Sequence, residues 1–123
     1  MIVSRGLNHI NINVRDLKRS LKFYQDAFGL EIRFWGDDKM VFVGAPGERD
    51  LITLCETGPA EPVGTGGGIS HFGFRFDNAQ AMDAIVAQIE HAGGKLDRRG
   101  EHGPGEPFAY FFDPDGYLIE IGV

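Results

Sequence analysis

The chain has 123 residues, 42% of them hydrophobic and 24% charged, and its 12 basic against 18 acidic side chains give a formal net charge of −6. That length holds one compact domain, or two small halves sharing a core, and the acidic balance speaks against a broad contact with a phosphate backbone, so no nucleic-acid partner is expected. A single cysteine, Cys55, leaves no internal disulfide, no apolar run approaches the roughly 20 residues that cross a bilayer, and residues 1–11 lack a signal-peptide pattern, so the expectation is a soluble cytoplasmic protein with no membrane partner.

Residues 7–14 alternate, placing Ile10, Ile12 and Val14 on one face of a strand and His9, Asn11 and Asn13 on the other. A helix should cover the apolar face: Asp16 is its N-cap, Leu17, Leu21, Tyr24 and Phe28 recur at helical spacing, and Gly29 stops it. Three short strands follow, at 30–35, 40–44 and 50–56, divided by turn formers at 36–38 and 45–47. Residues 58–67 carry no periodic apolar pattern and read as a linker between a module at 1–57 and another at 68–123.

The second module repeats the first. Residues 69–76 form a strand with His71, Gly73 and Arg75 on one face and Phe72, Phe74 and Phe76 on the other. Asp77 with Gln80 is a capping-box signature, Met82, Ile85, Val86 and Ile89 form the helical stripe, and Gly93-Gly94 ends it. A short strand at 95–98, a polar loop at 99–107 and a hairpin turning at Asp113-Pro114-Asp115-Gly116 complete the chain.

Laid one upon the other, NHINI matches SHFGF and LITL matches LIEI, which makes His9 equivalent to His71 and Thr53 equivalent to Glu120. The fold class is therefore α+β, two tandem βαβββ modules whose mixed sheets curve around a cleft. Glu120, flanked by Ile119 and Ile121, needs a partner that offsets its lost hydration. Two readings stand on these residues alone: His9, His71 and Glu120 hold a metal, since two imidazoles and a carboxylate suit divalent Fe, Mn, Co, Ni or Zn, or Glu120 pairs with Arg75 as a structural ion pair. Arg75 also has a second use, as the holder of a substrate carboxylate. Trp35, with Phe34 and Met40, is a candidate wall residue or ordinary core.

The opening LNHINI with DLKRSLKFY and FGL, the GISHFGF of the second half and the closing YFFDPDGYLIEI resemble the vicinal oxygen chelate superfamily, which includes glyoxalases, bleomycin-resistance proteins, fosfomycin-resistance enzymes and extradiol dioxygenases. The resemblance covers essentially the whole chain as one glyoxalase-like domain. It implies one divalent metal ion on His9, His71 and Glu120, and a small substrate that chelates it through vicinal oxygens. Glyoxalase I resembles this chain but adds Glu or Gln where Thr53 stands, with Glu56 the nearby alternative on the opposite strand parity. Asn11 stands where the fosfomycin enzymes carry a Thr, and Tyr110 and His102 match a Tyr and a loop His of the extradiol dioxygenases. Tyr110 and His102 are thus the catalytic candidates, and Thr53, Arg75, Asn11 and Trp35 the substrate-facing ones. The expectation is a small metal-dependent enzyme, a lyase or isomerase of glyoxalase type or a dioxygenase, acting as a homodimer; the alternatives are an extradiol ring-cleavage enzyme and a non-catalytic drug-binding protein.

Overall fold

The computed structural model describes residues 1–123, which divide into two compact units, Met1–Pro62 and Val63–Val123. The fold is α+β, and each unit is a βαβββ module. Unit 1 runs β1 (Ile10–Val14), α1 (Leu17–Phe28), β2 (Glu31–Asp37), β3 (Met40–Gly44) and β4 (Ile52–Glu56). Unit 2 runs β5 (Phe72–Arg75), α2 (Met82–His91), β6 (Lys95–Glu101), β7 (Pro107–Phe112) and β8 (Leu118–Gly122). The strand orders are β1-β4-β3-β2 and β5-β8-β7-β6, so in each unit the first and last strands lie side by side. They pair in parallel and the remaining neighbours antiparallel. Even the irregularities repeat: a bulge falls between Ile32 and Phe34 on β2 and another between Leu96 and Arg98 on β6.

Helix α1 forms where its caps predict. The Asp16 side chain accepts from the Arg19 N–H, and Gly29 takes the left-handed conformation at φ 66, which a residue with a Cβ resists. Its buried stripe is Leu17, Ser20, Phe23, Tyr24 and Ala27, rotated from the expected one, with Leu21 and Phe28 at its margin. The start of α2 departs further from expectation. Asn78, not Asp77, caps through its side chain to the Gln80 N–H, and it caps a short 3-10 turn at Ala79–Ala81 that leads into the helix. Met82, Val86 and Ile89 are buried as the spacing predicts.

Strand β6 is longer than the expected 95–98, because residues 99–101 continue its pairing with β7 and only 102–106 remain as the connecting turn. The segment after Pro62 belongs to unit 2: Leu118 N–H donates to Thr65 Oγ1 at 2.6 Å, and Thr65 N–H donates to the Gly116 carbonyl at 3.1 Å. At the hairpin, Gly116 has φ 89, and the Asp113 carboxylate accepts from the Asp115 and Tyr117 N–H groups, a turn held by its own side chain.

Candidate functional site

Residues opposite one another on paired strands share a face, so register alone identifies which side chains can meet. In unit 1, Asn11, Thr53, Phe42 and Phe34 form one row across β1, β4, β3 and β2. The corresponding row in unit 2 is Gly73, Glu120, Tyr110 and Arg98. The neighbouring unit 1 row, Ile12, Leu54 and Val41, is core, at or below 5% exposure, which makes the Asn11 row the face turned away from that core.

The two rows differ in chemistry. Phe34 stacks on Phe42 with ring centroids 4.3 Å apart, and the His9 ring meets the edge of Phe42 at 5.9 Å. Thr53 is fully buried and its hydroxyl has no partner. At the equivalent position of unit 2, Glu120 is the centre of a polar network. His71 Nε2 lies 3.2 Å from its Oε2, and His102 Nε2 lies 2.8 Å from its Oε1. Tyr110 donates its hydroxyl to the same carboxylate, and the Arg98 guanidinium lies 4.6 Å from the centre of the Tyr110 ring.

Burial pushes the Glu120 carboxyl up, but the hydrogen bonds from His102, Tyr110 and His71 together outweigh it and hold the group below its ordinary 4.5. Tyr110 moves the other way: burial, then the bond to Glu120, raises the phenol above 10.0, against the pull of Arg98. Tyr110 is therefore the neutral form that folding favours, so its contribution to stability is complete below pH 10 and is lost as pH climbs through the raised value. Alkaline unfolding followed by circular dichroism should show a smaller loss above pH 10 for Tyr110→Phe than for the parent chain.

Two glycines shape this face. A Cβ on Gly73 would sit 2.7 Å from the Glu120 carbonyl oxygen and 3.3 Å from the Glu120 Cβ. Gly73→Ala should therefore force β5 from β8, costing about 1–3 kcal/mol in denaturant unfolding and displacing the Glu120 carboxylate. A Cβ on Gly100 would meet the Phe108 ring at 3.0 Å, so this glycine leaves the ring its place, and the ring in turn stacks on His102 at 4.3 Å. His102 lies in the polar turn where it was expected, and sequence alone carried no signal that it would reach Glu120.

The remaining expected residues fall as follows. His9 and His71 each stand immediately before the first strand of their unit, in equivalent places. Arg75 shares the Gly73 and Glu120 face but does not pair with Glu120, whose oxygens are taken by the two histidines and Tyr110. This replaces the ion-pair reading. Trp35 and Thr53 lie on opposite faces, because Trp35 falls in the row of Val41 and Leu54; Phe34 is the aromatic beside Phe42. Glu56 also faces away from Thr53: its Oε2 accepts from the Leu17 N–H at 2.9 Å, an anion at the positive end of α1.

No group of three or more His, Cys, Asp or Glu side chains surrounds one ion position. The donors present nonetheless suit a divalent metal. Two ligands each about 2.1 Å from an ion are roughly 3 Å apart, which the His71 and Glu120 pair matches at 3.2 Å. Both histidines are oriented through the other ring nitrogen: Ser70 Oγ engages His71 Nδ1 at 2.9 Å, and Asn8 Oδ1 accepts from His9 Nδ1 at 2.7 Å. Because Asn8 Oδ1 only accepts, His9 Nε2 carries the free lone pair that a ligand needs.

The family model for the Glyoxalase/Bleomycin resistance protein/Dioxygenase superfamily matches residues 6–121. A probable lactoylglutathione lyase of Vibrio parahaemolyticus is 31% identical over 125 residues, covering 92% of this chain and 86% of that protein. A catechol-2,3-dioxygenase of Bacillus subtilis is 30% identical over 118 residues, covering 94% of this chain and 40% of that one. The chain spans less than half the length of the Arabidopsis thaliana and Schizosaccharomyces pombe lactoylglutathione lyases that it matches at 28% identity. Among solved structures, a fosfomycin resistance protein from Listeria monocytogenes superposes with a TM-score of 0.79 at 24% identity, covering 98% of this chain and 92% of that one, a likeness of fold.

Proposed function

Because the chain belongs to the glyoxalase/bleomycin resistance protein/dioxygenase superfamily, we propose that it is a small metal-dependent enzyme acting on a small molecule that chelates the metal through vicinal oxygens. The observation that carries this reading is the 3.2 Å pairing of His71 Nε2 with Glu120 Oε2, with the imidazole oriented through Nδ1 by Ser70 and the equivalent His9 oriented by Asn8. His9, His71 and Glu120 would hold a divalent Fe, Mn, Co, Ni or Zn, with Thr53 in place of a fourth ligand. A divalent ion supplies positive charge against the negative charge that develops on a substrate oxygen.

The chain's own residues do the rest. Tyr110, its hydroxyl committed to Glu120, positions that carboxylate. His102 is exposed, with one ring nitrogen on Glu120 Oε1, and serves as the group that takes or returns a substrate proton. Asn11, exposed on the Thr53 row, faces the substrate. The exposed Ile32, Phe34 and Trp35 on edge strand β2 support a homodimer, and sedimentation equilibrium showing only monomer at micromolar concentration would remove that part.

The test begins with metal content of protein purified without added metal, followed by turnover of methylglyoxal-glutathione hemithioacetal and of catechols. One divalent ion per chain with turnover of either substrate is the expected result, and which one turns over separates lyase from ring-cleaving dioxygenase. A folded chain that binds no divalent metal at micromolar concentration would overturn the enzyme reading and put the drug-binding one first.

A further inference from the structure

Beside Glu120 the face of β5 and β8 bears a dent. Arg75 pairs with Gly122 and Gly73 with Glu120, so four positions form a square with glycines on one diagonal and opposite charges on the other. The missing side chains leave a hollow of about 280 Å³, lined by Gly73, Phe74, Arg75, Glu120, Gly122 and Val123. Two arginines belong to this face, and they are used differently. Arg98 is spent on the Tyr110 ring, while Arg75 is exposed and makes no hydrogen bond or ion pair, since Glu120 is satisfied by His71, His102 and Tyr110.

We propose that this hollow is an oxyanion subsite in which Arg75 holds a carboxylate of the substrate. A guanidinium offers a planar pair of N–H donors that matches a carboxylate, and the glycine floor lets the ligand lie against backbone. The hollow is at the small end of ligand pockets, which limits the occupant to a short acid. Strand spacing puts the Arg75 and Glu120 Cα atoms about 8 Å apart, so a carboxylate on Arg75 leaves room for a chain of a few carbons reaching toward His71 and Glu120. The substrate class is accordingly a short hydroxy or oxo acid whose carboxylate is separate from its chelating oxygens. Only the assignment of the reacting end rests on the metal reading above.

The experiment titrates succinate, its neutral counterpart succinamide, and inorganic phosphate into metal-free 15N-labelled protein, following the backbone amides by NMR. Succinate should shift Gly73, Arg75 and Gly122, succinamide should not, and Arg75→Gln should weaken succinate at least tenfold while Arg75→Lys retains part of the affinity. Equal binding of succinamide, tighter binding of phosphate than succinate, shifts confined to other residues, or an unchanged Arg75→Gln affinity would each overturn the proposal. The divalent-metal affinity of the same samples is read separately, with His71→Ala as its control, so loss of the metal reading and loss of the subsite are distinguishable.

Discussion

Glu120→Gln is expected to lower divalent-metal affinity by at least about 100-fold, the upper end of what removing even a supporting group of a metal site costs. The amide keeps the shape but loses the negative charge, and it presents hydrogen-bond donors where the carboxylate accepts from His102, Tyr110 and His71. His71→Ala should be comparably severe, and the double variant should add little, because both changes strike one site and their effects are not independent. Isothermal titration with Mn²⁺, Zn²⁺ and Ni²⁺ on the two single variants and the double variant checks this, and additive losses would argue for two separate roles. The same variant also reports on acid stability. The Glu120 carboxyl lies below 4.5 in the folded chain, so the stability it contributes is present above its unfolded value and is lost as pH falls through the lowered one. Metal-free Glu120→Gln should therefore show a flatter decline in stability below pH 4.5 than the parent chain.

Phe111→Ala should cost about 3–5 kcal/mol, a large part of the stability of a small domain. Phe111 is fully buried on β7, paired across to the equally buried Ile119 of β8, and the cavity left by its ring has no nearby flexible side chain to fill it among these strands. Phe34 on β2 is the internal comparison. It is 51% exposed and its main contact is the stack on Phe42, so Phe34→Ala should cost about 0.5–1.5 kcal/mol. Urea denaturation midpoints of the two variants, read with unchanged slopes, measure both. Similar losses at the two positions would show that the Phe34 face is packed in solution, as a homodimer through β2 would require.

The paired histidine strands, the Asp16 and Gly29 caps of α1, the Asp113 to Gly116 hairpin turn and the equivalence of Thr53 with Glu120 were all legible in the chain, because each depends on near neighbours or on a period of two or 3.6. The α2 start was less legible, since Asp77 and Asn78 are both good caps and the choice between them depended on how the chain leaves β5. What only tertiary structure decided lies across strands. A bulge between Ile32 and Phe34 put Phe34 rather than Trp35 beside Phe42, because one extra residue exchanges the faces of everything after it. Glu56 went to the N-terminus of α1, His102 closed onto Glu120 from a turn 18 residues away, and Arg98 came to rest on Tyr110 while Arg75 was left facing a hollow. Sequence names the charged residues available to a carboxylate such as Glu120. Strand register and the reach of each side chain, which involve residues far apart in the chain, select the ones that meet it.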